Sequence, residues 1–249
     1  MAGTIDYFFT AISPFVYLGH RKVLEIASSR GASVRFRPFI LGGVWEKSGA
    51  VPLGQRSETR QRYRLVELQR IAQFRGETLN LRPAHFPVNP ERADLCVAAL
   101  VQAGANPADF LYETCKAVWA HDLDISDEAV IGELLSGCGF DAVKILAASR
   151  GEEAVSARVE NTQAAIAADA IGAPAYVYKG EVFWGQDRLE LLDAMIAVTD
   201  RPSAQLKFAA TLDSCISCRY KKGIISSDGT GGGIKGGRPC CPMKGFGLQ

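Results

Sequence analysis

The chain has 249 residues, of which 47% are hydrophobic, and this is enough apolar surface to form a substantial buried core. Lys and Arg together number 28, against 27 Asp and Glu, so the formal net charge is only +1. That balance argues against a nucleic-acid partner and against a polybasic membrane patch. No apolar run approaches the roughly 18 residues of a membrane span, and the first residues lack the features of a secretory signal. We therefore expect a globular, cytoplasmic protein.

The first forty residues have the pattern of a strand, a helix and a second strand. Residues 4–9 are rich in aromatic and β-branched side chains, which favours a strand. Apolar residues at helical spacing then run from Ser13-Pro14 to about Gly31. Residues 34–40 alternate apolar and basic side chains, as strands do. Together these segments predict a right-handed βαβ unit with two parallel strands.

The next segment, residues 42–168, carries no strand signal and is predicted to be all-helical. It begins with a basic loop that contains Lys47 and Arg56, and a long amphipathic helix follows that ends at Gly76. Further helices are predicted from cap residues and apolar spacing at about 90–103, at 107–121, from 126 onward, at 140–148 and at 152–171.

Strand signals return at residues 175–178 and 182–184, joined by a hairpin turn and followed by a last amphipathic helix. The order βαβ, helical block, ββα is that of an α/β thioredoxin-like fold with a large all-helical insertion. The predicted domains are a thioredoxin-like domain at 1–41 and 169–206 and a helical insertion domain at 42–168.

Residues 207–249 differ in composition from the rest of the chain. They contain nine glycines, seven basic residues and two acidic residues, with no sustained apolar periodicity. We expect a disordered tail with no part in function, and a frame-shifted or vector-derived origin would explain it. Its four cysteines are Cys215, Cys218, Cys240 and Cys241. Adjacent cysteines do not easily reproduce the second C-x-x-C of a zinc ribbon, so we predict no metal site.

Ser13 stands where the first strand meets the first helix. Its hydroxyl and the neighbouring backbone N–H groups can hold an anion, such as a thiolate, at the positive end of the helix dipole. A plain helix N-cap followed by Pro14 would also explain these residues, and their position alone favours it because this pairing is common in helices. Both interpretations stay open at this point.

Two further markers flank the second pair of strands. Pro174 is well placed for a cis peptide bond, which would leave the backbone of Ala173 free to pair with an extended peptide-like ligand. A trans proline that opens a strand is an equal alternative. The other marker, Trp184-Gly185-Gln186-Asp187, opens the last helix, and Asp187 is either its N-cap or a group that holds an ammonium.

These segments carry a family resemblance. Ser-Pro-Phe-x-Tyr-Leu-Gly at 13–19, Gly-Ala-Pro at 172–174 and Phe-Trp-Gly-Gln-Asp-Arg-Leu at 183–189 resemble the 2-hydroxychromene-2-carboxylate isomerase family. That family is related to kappa-class glutathione transferases and to DsbA-type thioredoxin folds. The resemblance implies glutathione as the cofactor, with Ser13 as the catalytic residue that hydrogen-bonds its sulfur. The implied cofactor-binding residues are Ser13, Ala173, Trp184, Gly185, Gln186 and Asp187.

The substrate side departs from the family. Trp45 stands where the family has a lysine that holds the substrate carboxylate, and Lys47 is the nearest substitute. Phe86, beside His85, stands where the family has a tyrosine. The predicted substrate-binding residues are therefore Trp45, Lys47, His85 and Phe86. Arg56 and Arg60 could also meet an anionic substrate.

Three functions follow from the resemblance and the departures. The first is a glutathione-dependent isomerase of aromatic degradation that interconverts 2-hydroxychromene-2-carboxylate-type and trans-o-hydroxybenzylidenepyruvate-type compounds. The second is a kappa-like glutathione transferase acting on hydrophobic electrophiles, because Trp45 and Phe86 make the pocket more apolar. The third is a non-catalytic thioredoxin-fold binding module. The expected partner is a small aromatic molecule, with no nucleic acid and no membrane, and a homodimer is left open.

Overall fold

The structure is a computed structural model, and it describes residues 3–199. The strands are β1 at Thr4–Phe9, β2 at Ser33–Pro38, β3 at Ala175–Tyr178 and β4 at Glu181–Trp184. They form one mixed sheet in the order β2-β1-β3-β4. β1 is parallel to β2, and β3 is antiparallel to both β1 and β4. The parallel pair and the hairpin predicted from the sequence are confirmed.

Nine α-helices lie within residues 3–199, and most of them fall between β2 and β3. They are α1 at Pro14–Arg30, α2 at Leu41–Ser48, α3 at Glu58–Arg75, α4 at Glu91–Gln102, α5 at Ala108–His121, α6 at Glu128–Gly137, α7 at Ala142–Ser149, α8 at Glu152–Ala167 and α9 at Leu189–Thr199. The thioredoxin-like fold with a helical insertion is confirmed. No helix within the described residues is long and apolar enough to cross a membrane.

Two local predictions are wrong. The basic loop predicted at Lys47 is part of α2, whose buried Val44 packs with Phe8 and Phe39. This tertiary contact outweighs the low helix propensity of the two glycines near the helix start. Helix α8 ends at Ala167 rather than at residue 171, because Asp169 has a positive φ of 56° that interrupts helical geometry. The predictions for residues 207–249 lie outside the described residues.

Side chains alternate across β1, so both faces of the sheet are covered. Ile5 and Tyr7 enter a large apolar cluster that also contains Val97 of α4 and Trp119 of α5. Phe8 enters a smaller cluster on α2 and α8. This period of two is what a strand with two buried faces requires. The large cluster joins the sheet to the inserted helices in one continuous core.

Gly19 lets α1 approach a short 3-10 helix at Gln186–Arg188. A Cβ on Gly19 would stand 2.7 Å from the Cβ of Gln186 and 3.0 Å from the hydroxyl of Tyr176. Real side chains do not tolerate the shorter of these distances, so any larger residue would separate the two elements. The glycine in the Tyr-Leu-Gly motif is therefore a packing requirement.

We expect Gly19→Ala to lower the free energy of unfolding by about 1–3 kcal/mol, because overpacking outweighs the gain in helix propensity. Gly132 of α6 is a matched control, since a Cβ there would meet only Leu146, at 3.7 Å. Gly132→Ala should be neutral or stabilising by up to about 1 kcal/mol. Urea denaturation of both variants measures the difference. Equal effects of the two substitutions would contradict the tight contact at Gly19.

Candidate functional site

The turn between β1 and α1 is anchored by a carboxylate from the inserted helices. Asp94 of α4 is fully buried and accepts 2.9 Å hydrogen bonds from the Thr10 hydroxyl and from the Ala11 backbone N–H. Arg158 of α8 donates to the same carboxylate at 3.1 Å. Burial raises the pKa of Asp94 to about 6, while Arg158 and these hydrogen bonds act in the opposite direction. Because a buried carboxylate needs its donors, this network holds the turn in one position.

A second inserted helix holds the next residue of the turn. The indole N–H of Trp119 donates a 3.1 Å hydrogen bond to the carbonyl of Ile12. The ring of Phe86 packs on the Trp119 ring, with centroids 4.8 Å apart. The structure therefore places Phe86 beside the turn. His85 lies on the surface, where its side chain is 45% exposed and 3.8 Å from the Asp124 carboxylate.

Ser13 follows this turn and makes two contacts. Its hydroxyl oxygen accepts a hydrogen bond from the Val16 N–H at 3.4 Å, which is the geometry of a helix N-cap. The same hydroxyl donates to the carbonyl of Ala173 at 3.3 Å. Two markers that are far apart in the sequence thus meet at this point. The cap interpretation describes the first contact but not the second.

Ala173 precedes Pro174, and the peptide bond between them is cis. The backbone N–H of Ala173 has no acceptor among residues 3–199, since β3 begins only at Ala175. The residue is half-buried. An unpaired backbone donor at the end of a strand is the feature that an extended peptide ligand uses when it pairs by main-chain hydrogen bonds.

Two tryptophans converge next to Ala173. The indole nitrogens of Trp184 and Trp45 would stand 3.1 and 3.6 Å from a Cβ on Gly172. Neither indole N–H has an acceptor within the described part of the chain. The sequence analysis predicts that Trp45 binds substrate together with Phe86. In the structure, Trp45 lies instead next to residues predicted to bind the cofactor. Lys47 is exposed on α2.

Gln186 is buried and is held by an arginine of α3. Arg75 donates to the Gln186 side-chain oxygen at 3.2 Å and to its carbonyl at 3.1 Å, and it pairs with Glu190 at 3.0 Å. These bonds use the oxygens of Gln186 and leave its side-chain NH₂ without an acceptor in residues 3–199. The sequence did not single out Arg75, because the arginines of α3 read as a solvated face.

Asp187 lies inside the short 3-10 helix and not at its N-cap, which is Gly185. Gly185 has a φ of 99°, and a Cβ there would collide with the Asp187 carboxylate. This explains why glycine precedes the Gln-Asp pair. The Asp187 side chain is 55% exposed and pairs with Arg188. Its carboxylate is therefore accessible to a ligand.

Glu67 of α3 is a site residue that the sequence analysis missed. Its pKa is raised first by burial and then by the negative charge of Asp187, while Arg64 acts in the opposite direction. The two carboxylates therefore repel each other across the site. Such a pair favours a cationic ligand group nearby, because an ammonium would be attracted to both carboxylates and would reduce their repulsion. Only the position of α3 beside the short 3-10 helix reveals this interaction.

We expect Asp187→Asn to lower the pKa of Glu67, because removing a neighbouring negative charge makes ionisation easier. A carboxyl group whose pKa is higher in the folded than in the unfolded state stabilises the protein at low pH, and this stabilisation is lost as the pH rises through the folded-state pKa. The pH-dependent loss of stability should therefore be smaller in the variant. NMR titration of the Glu67 carboxyl measures the shift. Asp193→Asn is the control, since Asp193 pairs with Arg30. An unchanged Glu67 pKa in Asp187→Asn would contradict the coupling.

Comparison with known proteins identifies the family of this chain. A sequence model of the DSBA-like thioredoxin domain matches residues 4–197. The chain belongs to this family. The 2-hydroxychromene-2-carboxylate isomerase of Pseudomonas putida is 26% identical over 204 residues, which cover 81% of this chain and 98% of that protein. Glutathione S-transferase kappa 1 of Caenorhabditis elegans is 24% identical and covers 76% of this chain and 88% of its own length.

The structural comparison agrees with the sequence comparison. A solved structure of a 2-hydroxychromene-2-carboxylate isomerase superposes with a TM-score of 0.69 and 25% identity, covering 80% of this chain and 96% of that one. The resemblance stated from the motifs at 13–19, 172–174 and 183–189 is confirmed. The relatives are named as isomerases and as a glutathione transferase.

Proposed function

We propose that this chain is a glutathione-dependent isomerase that interconverts 2-hydroxychromene-2-carboxylate-type and trans-o-hydroxybenzylidenepyruvate-type compounds. The names of the relatives support the reaction class. The observation that carries the cofactor assignment is the meeting of the Ser13 hydroxyl with Ala173, whose backbone N–H is unpaired. The proposal places the protein in the cytoplasm, where thiols are kept reduced.

The donors and acceptors of the site fit glutathione along its length. The free N–H of Ala173 suits the cysteinyl backbone. The carboxylates of Glu67 and Asp187 suit the ammonium of the γ-glutamyl end. The unpaired indole N–H groups of Trp45 and Trp184 suit a carboxylate or carbonyl of the ligand near Gly172.

Ser13 is suited to hold a thiolate rather than to form one. Its hydroxyl can exchange the Ala173 carbonyl for a sulfur anion and donate a charge-assisted hydrogen bond to it. The N-terminus of α1 adds a favourable field for negative charge at the same point. Because Ser13 and Val16 occupy the positions of a thioredoxin dithiol, disulfide exchange by the protein itself is excluded there.

Bound glutathione would supply a nucleophilic sulfur that adds to a conjugated double bond and leaves again after rotation, without net oxidation or reduction. The protein's part is to keep the sulfur ionised through Ser13. Phe86 is partly exposed beside the same turn and packs on the buried Trp119, so an aromatic ring of the substrate can pack on Phe86.

A kappa-like glutathione transferase is the second candidate. The relative named glutathione S-transferase kappa 1 favours it, and so do the apolar side chains of Trp45 and Phe86, which stand where the isomerase family has a lysine and a tyrosine. The two functions share the cofactor site and differ in their products. Stable thioether products from hydrophobic electrophiles, without isomer exchange, would favour the transferase.

The cofactor requirement is tested by following the interconversion of the two isomers with glutathione, with S-methylglutathione and without additive. We expect turnover only with glutathione, since the methylated analogue has no ionisable sulfur. The two isomers together should account for all of the starting material, and no stable glutathione adduct should form. Equal rates in all three reactions would contradict the cofactor assignment.

Ser13→Ala separates the catalytic role of this residue from its capping role. If the hydroxyl holds a thiolate, the variant should lose about two to four orders of magnitude in turnover, and the thiol pKa of bound glutathione should rise. Loss of the cap alone would cost about 1 kcal/mol of stability. Rate and thermal stability are measured on the same preparation.

The control is Asp141→Ala, which removes the side-chain cap of α7 outside the candidate site. It should lower stability by a similar amount and leave the thiol pKa unchanged. Full turnover in a destabilised Ser13→Ala protein would retire the catalytic assignment of Ser13.

A further inference from the structure

Arg64 of α3 lies over the aromatic pair beside the Ser13 turn. Its guanidinium carbon is 5.5 Å from the centroid of the Phe86 ring and 5.7 Å from that of Trp119. Trp119 is in turn hydrogen-bonded to Ile12, the neighbour of Ser13. The cation is therefore connected through Trp119 to the turn that carries Ser13.

Arg64 has no hydrogen bond and no ion pair to any residue in the described range 3–199. Other arginines with little exposed surface differ: Arg75 and Arg158 each pair with carboxylates. Burial, followed by repulsion from Arg56, lowers the pKa of Arg64 to about 10, so the guanidinium is still charged at neutral pH. A partly desolvated cation whose donors bond no protein group favours a ligand that brings an acceptor.

Stacking on aromatic rings does not satisfy these donors. Cation–π attraction acts through the ring faces, whereas the N–H groups in the guanidinium plane still need oxygen acceptors. A carboxylate matches the guanidinium fork, and a flat ring attached to it can pack on Phe86, which is partly exposed above the buried Trp119. The ligand that meets both requirements is a planar aromatic carboxylate.

We propose that Arg64 binds the carboxylate of the acceptor substrate and that the partly exposed ring of Phe86 packs against its aromatic part. This proposal rests on the proposed function and names the residue that selects an anionic substrate. Trp45 lies beside Gly172 and Trp184. In this proposal Arg64 holds the substrate carboxylate, which the family resemblance assigns to a lysine at the position of Trp45.

The charges along α3 give the substrate an orientation. Arg64 presents positive charge at the aromatic pair, and Arg56 is close enough to act on it. Glu67 lies one turn further along the helix. Its carboxylate and that of Asp187 together make this part of the site negative. An anionic substrate is therefore attracted to the Arg64 end and repelled from the end where the ammonium of glutathione is expected.

The proposal is tested by calorimetric titration of trans-cinnamate and of its uncharged amide, trans-cinnamamide, with glutathione omitted. The wild-type protein should bind the carboxylate more tightly than the amide. Arg64→Met keeps the stem that packs on the rings but removes the charge, and it should weaken cinnamate binding by about 10- to 100-fold. It should leave cinnamamide binding unchanged. Arg64→Lys should retain part of the preference.

Arg62→Gln is the matched control, because it removes a charge from the same helix at an exposed side chain that pairs with Glu58. It should not change cinnamate binding. Equal affinity of the wild type for cinnamate and cinnamamide would overturn the proposal, as would full cinnamate affinity in folded Arg64→Met. Because glutathione is absent from this titration, a protein that fails to bind glutathione would lose the proposed function without affecting the result for Arg64.

Discussion

The carboxylate of Asp94 ties the inserted helices to the turn on which the site is built. β1 ends at Phe9, so the polar groups of the next residues have no sheet partner and must be satisfied in another way. Asp94 accepts from Thr10 and Ala11, and Trp119 donates to the carbonyl of the following residue. The helical insertion is therefore a structural part of the site. Any movement of α4 or α5 would be transmitted to Ser13.

Helix α3 arranges charge around that turn. Arg75 holds Gln186 in place from the C-terminal end of the helix. Glu67 faces Asp187 near the middle, and Arg64 lies over the aromatic pair closer to the N-terminus. One helix thus supplies a positioning group, a negative region and a positive region. Each of these residues is partly removed from water, which strengthens its effect on a bound ligand.

The strands, the hairpin and most helices could be predicted because their signals are local. Alternation in β1, the Gly turn before β4 and the cap residues of the long helices lie within short windows. Helix α2 was missed because it is stabilised by the burial of Val44 against Phe8 and Phe39. No local sequence pattern shows these contacts. The same holds for Asp94, a first-turn acid whose burial comes from tertiary packing.

The site residues show the same division. Ser13, Ala173 and Gln186 belong to motifs and were named from the sequence. Arg64 and Glu67 were not, because charged residues on a long helix resemble a solvated face until the neighbouring elements are in place. Both residues matter because they are partly buried and lie near other charged side chains. Burial and neighbouring charges depend on the folded structure.

The central claim is that the protein binds glutathione with its sulfur ionised beside Ser13. Calorimetric titration of glutathione and of S-methylglutathione, each in two buffers with different ionisation enthalpies, tests it most directly. We predict that both ligands bind at millimolar concentration or below and that only glutathione releases a further proton, because its thiol is largely protonated in neutral solution. No binding, or the same proton release for both ligands, would contradict the account.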